Sequence, residues 1–230
     1  MPLAIITGAS RGLGLALARA LAERSWALVL DARGAADLER VAHQLGAITD
    51  VAALPGDVAD DSHRRALIDA AGDQLDLLVN NASRLGPSPQ PALASYPLAE
   101  LERVYRVNVI APLALVQLAL PRLPDGGRII NVTSDAAVEP YQGWGGYGSS
   151  KAALEQLTAV LGAERPALRL YAVDPGDMRT DMHQQAFPGE DISDRPPPEE
   201  SLPGLLTLIE ADLPSGRYRA RALADDRAGV

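Results

Sequence analysis

The 230-residue chain fits one domain spanning 1–230, long enough to bury a core without disulfides or metals, and its 47% hydrophobic and 22% charged residues are those of a globular protein. No unbroken run of about 18 apolar residues follows Met1, so neither a signal peptide nor a spanning helix is expected, no membrane is expected as a partner, and the protein reads as cytoplasmic. Cysteine is absent, which excludes disulfides, thiolate metal sites and a cysteine nucleophile, and 21 basic against 30 acidic residues without a Lys/Arg cluster speak against a nucleic-acid partner.

Short, almost purely apolar runs recur at Leu3 to Ile6, Ala27 to Leu30, Val51 to Leu54, Leu75 to Val79, Arg128 to Val132 and Leu168 to Val173. Each is too short for a buried helix and reads as a parallel strand covered on both faces. The segments between them read as crossover helices, the first over Leu13 to Arg24, with Leu13, Leu17 and Leu21 four apart. Ser83 to Pro97 and Phe187 to Pro203 are proline-rich and are expected to be loops, the second forming a substrate lid over about 183–203. Longer helices are expected around Leu98 to Leu123 and Ser149 to Leu161. A helix from Glu199 to Ala211 and a last strand near Arg217 to Ala222 complete a seven-stranded, Rossmann-type doubly wound α/β sheet.

Directly after the first strand stands Thr7-Gly8-Ala9-Ser10-Arg11-Gly12-Leu13-Gly14, opening into the first helix. Glycine lets this turn be tight, lets backbone N–H groups approach a pyrophosphate, and lets helix pack on strand, while the helix N-terminus favours the anion. The spacing resembles that of the short-chain dehydrogenase/reductase family, in its compact single-domain branch. The likeness continues through Pro55-Gly56-Asp57-Val58, through Asn80-Asn81-Ala82-Ser83 with Ser83 in place of a glycine, and through Asp174-Pro175-Gly176-Asp177-Met178-Arg179-Thr180.

By that resemblance, Asp57 and Val58 meet the adenine, Asn80 belongs to the central sheet and the adjoining cofactor pocket, Asn81 and Ala82 border the cofactor, and Pro175, Gly176, Met178 and Thr180 hold the nicotinamide end. As a turn alone, Asn-Asn could equally cap a strand. The choice of nicotinamide turns on Leu30-Asp31-Ala32-Arg33: an acidic residue would bind the ribose 2′-hydroxyl of NAD, and an arginine would pair with the 2′-phosphate of NADP. Counted from Gly8, the family's acidic position falls on Ala32 and its arginine position on Arg33. NADP(H) is therefore favoured, with Arg11 a second cation, and NAD(H) stays open because Asp31 could reach the ribose or pair with Arg33.

Thirteen residues after Ser134 comes Tyr147-Gly148-Ser149-Ser150-Lys151, which places a phenol and an ammonium on one helix face. A free tyrosine, with a pKa of about 10, is a poor base at neutral pH, and a cation stabilises its phenolate. The resemblance makes Ser134 the substrate-oxygen donor, Tyr147 the proton carrier, Lys151 the ribose ligand, and Asn108 the fourth catalytic position. Asn108 precedes Pro112, so a kinked turn holding a water is expected.

Trp144, Tyr141, Met178 and Met182 could line an apolar pocket or pack as core, and Asp135 is expected to point away and cap a turn. His43, His63 and His183 lack metal-like spacing; the first two fall on surface helices, and no metal is assigned. The tail, Arg217-Tyr218-Arg219-Ala220-Arg221 and then Asp225-Asp226-Arg227, departs from the family's apolar terminal strand. The implied activity is NADP-preferring hydride transfer to or from a small carbonyl or secondary alcohol by a homodimer or homotetramer. The alternative is a dinucleotide-binding sensor without turnover.

Overall fold

The computed structural model describes residues 1–223, so the charged end at 225–227 lies outside the described residues. Seven strands form one parallel sheet in the order β3-β2-β1-β4-β5-β6-β7. They are β1 (Leu3–Ile6), β2 (Ala27–Ala32), β3 (Val51–Pro55), β4 (Leu77–Asn80), β5 (Arg128–Val132), β6 (Arg169–Asp174) and β7 (Gly216–Arg219). The order reverses between β1 and β4, and the crevice outside the strand ends at such a point is where an open α/β sheet takes its ligand.

The apolar runs are continuous because both faces are covered. Ala4 and Ile6 of β1, with Leu28 and Leu30 of β2, join one core cluster, while Ile5 and Val29, one residue out of step, join the other. The first cluster packs under α1 (Gly12–Ala22), α2 (Ala35–Leu45) and, further along the chain, α8 (Leu202–Glu210). The second packs under α3 (Asp61–Ala70) and α5 (Ala111–Ala119).

The helix expected over Leu98 to Leu123 is broken into α4 (Leu98–Tyr105), a π turn at Arg106–Ile110, and α5. Ala111 donates its N–H five residues back to Arg106, and Pro112 has no N–H to give, which widens the turn around Asn108. Contrary to the sequence expectation, Leu98–Arg122 as a whole is long and apolar enough to cross a membrane by length and composition. Its Leu115, Val116 and Ala119 are packed into the second core cluster.

Strand ends shift by a few residues. Leu75 bonds the Arg122 carbonyl, so β4 starts at Leu77. The last strand stops at Arg219, and residues 220–223, all good helix formers, turn helical. The helix α6 (Gly145–Glu164) begins four residues before the expected start, α7 (Asp181–Ala186) occupies the front of the expected lid, and a 3-10 turn at Pro198–Ser201 precedes α8.

Candidate active site

One cavity of about 1140 Å³ runs along the C-terminal strand ends from β2 to β6, above the roughly 300–1,000 Å³ of an ordinary single-ligand pocket. At one end Gly8, with φ +67°, turns the chain out of β1 so closely under β4 that a Cβ would stand 2.9 Å from the Ala82 Cα. Thr7 ties this turn to β4. Its hydroxyl accepts from Asn81 and Ala82 N–H, both at 3.0 Å, and the Asn81 amide donates back to the Thr7 and Gly8 carbonyls at 2.9 and 3.1 Å.

Gly14 does not line the cavity. It lets α1 seat on the turn, since a Cβ there would meet the Gly8 carbonyl oxygen at 2.4 Å. Ser10, Arg11, Gly12 and Leu13 do line it, as do Arg33, Asp57, Val58, Asn81, Ala82, Pro175, Gly176, Met178 and Thr180. The Arg11 guanidinium reaches across the mouth to Asp181 at 2.9 Å; an exposed pair of this kind is weak, about 0–1 kcal/mol, and exchanges readily.

Three expectations are corrected. Asn80 is buried in the sheet and stays out of the cavity: its amide donates to Asn131 at 2.8 Å, and Asn131 donates to Thr158 at 2.8 Å. Asp31 does not pair with Arg33. Its Oδ2 accepts the Gly8 N–H at 3.3 Å, and its Oδ1 stands 2.6 Å from Nε2 of His63. His63 is accordingly no surface residue, with its side chain 11% exposed. Burial raises the Asp31 pKa, and the His63 contact and the Gly8 N–H oppose that rise.

At the other end, α6 carries Tyr147 and Lys151 on its buried face, 7% and 2% exposed, with Lys151 Nζ 5.5 Å above the phenol ring. Gly148 allows the fit, since a Cβ there would meet the Ala136 carbonyl at 2.5 Å. Burial pushes the Tyr147 phenol well above its usual range. The neighbouring Ser83 hydroxyl opposes the rise, and the charges of Asp135 and Asp174 add to it. Burial pulls Lys151 down to about 7, and its Nζ donates to the Val132 carbonyl at 2.8 Å.

Ser134, two residues beyond β5, lines the same cavity, but its hydroxyl donates to Asp135 Oδ1 at 2.9 Å. Asp135 does cap its turn, accepting the Ala136 N–H at 2.8 Å, yet it does not point away: it lines the cavity and accepts the Tyr141 hydroxyl at 2.9 Å. Behind Ser134, Arg217 bonds Glu155 at 2.9 Å, Asp174 at 3.3 Å and the Ser134 carbonyl at 3.4 Å, and Glu155 also accepts from Thr133. Sequence reasoning missed this brace, because its members stand far apart in the chain and carry no motif.

Asn108 is 1% exposed and outside the cavity lining. Its amide donates to the Arg84 carbonyl and the Ser150 hydroxyl, and its oxygen accepts from Arg84 N–H and the Ser83 hydroxyl. All four side-chain valences are filled, so any water at this turn must use backbone carbonyls instead. Trp144 stands edge-on to Tyr147 and Tyr141, and Phe187 packs on Trp144 and His183, which encloses an aromatic chamber over the phenol.

A glycine cradle backed by a helix N-terminus, a cation at the end of β2, and a buried phenol–ammonium pair in one crevice fit a nicotinamide dinucleotide, and they define an oxidoreductase of the dinucleotide-binding class. The family model described as short chain dehydrogenase matches residues 2–191. The chain is 34% identical over 199 residues to sepiapterin reductase of Meriones unguiculatus, covering 79% of this chain and 76% of that protein. It is 36% identical over 245 aligned positions to the rhamnolipids biosynthesis 3-oxoacyl-[acyl-carrier-protein] reductase of Pseudomonas aeruginosa, covering 99% and 89%. A Shigella flexneri protein described as a short chain dehydrogenase, solved in complex with NADP, superposes with a TM-score of 0.88 at 27% identity over 96% of this chain and 97% of that one. The chain belongs to the short-chain dehydrogenase/reductase family.

Proposed function

We propose that this protein is an NADP(H)-dependent reductase of small ketones or aldehydes, with Tyr147 as the proton donor. The observation that carries the reading is the buried Tyr147–Lys151 pair, which shares one cavity with Ser134 and the glycine cradle. Ser10, Gly12 and the α1 N-terminus would hold the pyrophosphate, Arg33 the 2′-phosphate, Lys151 the ribose, and Pro175 to Thr180 the nicotinamide end. The matched reductase relatives and the NADP complex of the superposed structure support this assignment.

When bound, the reduced nicotinamide supplies the hydride that reaches the carbonyl carbon. Tyr147 delivers the proton that turns the carbonyl oxygen into a hydroxyl. A phenol whose pKa is raised is fully protonated at neutral pH, which suits a donor in the reductive direction. Lys151, when protonated, opposes the charge left on the phenolate. Ser134 orients the carbonyl oxygen, and to do so it must exchange its proton's partner from Asp135 to the substrate. The chamber of Trp144 and Phe187 favours an apolar or aromatic group beside the carbonyl.

The test is to follow NADPH absorbance against a panel of aldehydes, ketones and quinones, with NADH in parallel. Oxidation of NADPH, faster than of NADH, is expected. Binding without oxidation across the panel would favour the sensor alternative, and a strong preference for NADH would refute the role given to Arg33.

A further inference from the structure

The end of β2 brings an acid and a cation to the edge of the cofactor cavity two positions apart, Asp31 and then Arg33 just beyond Ala32. Left to itself, a carboxylate here would accept from a ribose 2′-hydroxyl and repel a 2′-phosphate, working against the neighbouring guanidinium. In this chain the carboxylate is turned inward. Asp31 is 2% exposed, one oxygen faces the Gly8 N–H, and the other sits 2.6 Å from His63 on α3. Among the described residues, His63 is the one cation-forming side chain within ion-pair distance of it.

The approach of His63 has its own device. A Cβ on Gly56 would lie 2.3 Å from His63 Nδ1, so the absence of a side chain at the β3 end is what lets the imidazole slide beneath. His63 does not itself line the cavity, so whatever it does to a ligand it does through Asp31.

We propose that His63 is a positioning residue for cofactor choice: it holds the Asp31 carboxylate against the glycine turn and away from the cavity, which leaves Arg33 to select the 2′-phosphate. The proposal rests on the NADP reading above. It adds that the selectivity of Arg33 depends on a histidine thirty residues away in sequence and outside the pocket.

The experiment measures NADPH and NADH dissociation constants by tryptophan fluorescence, without any carbonyl substrate, for the full-length protein and its His63→Ala, Asp31→Asn and double variants. His63→Ala is expected to weaken NADPH by about tenfold or more while leaving NADH unchanged or tighter, because Asp31 then turns its charge to the cavity. The double variant is expected to regain NADPH binding, and Asp31→Asn alone to keep it. A purely structural histidine would weaken both nucleotides together, so an unchanged NADPH-to-NADH ratio in His63→Ala overturns the proposal, as does a double variant that fails to recover. Should His63→Ala not fold, His63→Leu fills the space under Gly56 without a hydrogen-bonding group and is expected to lower the ratio in the same direction; a ratio equal to that of the unmodified protein would overturn the idea. Failure of the unmodified protein to bind either nucleotide would instead sink the oxidoreductase reading itself.

Discussion

Lys151→Met exposes an antagonism between stability and chemistry at the site. The ammonium is 2% exposed, and burial brings its pKa from 10.5 to about 7 in the protein without ligand. At about 1.4 kcal/mol per pKa unit, that depression corresponds to roughly 5 kcal/mol against the charged form. The folded state binds fewer protons than the unfolded chain between about pH 7 and 10.5, so stability rises with pH across that window and is lowest below it. Methionine has similar reach and no charge; it removes the penalty but leaves the Val132 carbonyl without its donor, a loss of about 1–3 kcal/mol. The variant is therefore expected to be more stable than the parent at pH 6, by roughly 2–4 kcal/mol, less stable than it by up to about 2 kcal/mol at pH 10, where the penalty has largely gone and the lost hydrogen bond remains, and to be inactive. Urea denaturation at both pH values checks this. A variant less stable at pH 6, or one that keeps the parent's rise with pH, would refute the claim that Lys151 is held at a cost in free energy.

Gly14→Ala puts a Cβ 2.4 Å from the Gly8 carbonyl and is expected to cost about 1–3 kcal/mol through forced displacement of the turn; thermal melts and NADPH titration should both show it. Asp135→Asn removes one of the charges that, after burial, raise the Tyr147 phenol. The loss of reductase activity with rising pH should then begin at lower pH, and an unmoved or upward-shifted limb in the pH–rate profile would count against the contact. Asn108→Ala strands the Arg84 backbone groups in the interior and should destabilise by at least about 2 kcal/mol in urea, with turnover lowered because Ser83 loses its support.

The sheet was legible because strands covered on both faces leave unbroken apolar runs, and β1 and β5 fall where those runs stand. The start of α6 was not. Gly145, Gly146 and Gly148 argue against a helix locally, yet Cβ atoms at 146 and 148 would run into Tyr96 and the Ala136 carbonyl, so tertiary fit overrides propensity. At the site, the glycine turn and the Tyr147–Lys151 spacing are local geometry and could be read directly. Asp135 and His63 could not: the turn that brings the Tyr141 hydroxyl back to the Asp135 carboxylate carries no motif, and the partner of a helix histidine is set by a strand distant in sequence. Asn80 and Asn108 were placed at the site by the family resemblance alone, which does not show what their side chains bond; in the structure their partners are protein groups.

The claim on which the account turns is that the phenol of Tyr147 moves the proton. Its most direct test compares Tyr147→Phe with the unmodified protein for NADPH affinity and for turnover on the best carbonyl of the panel. The account predicts nucleotide binding within about twofold and turnover lowered at least about a hundredfold, the scale of a lost acid–base group. A phenylalanine variant that still turned over within about tenfold of the parent would contradict it.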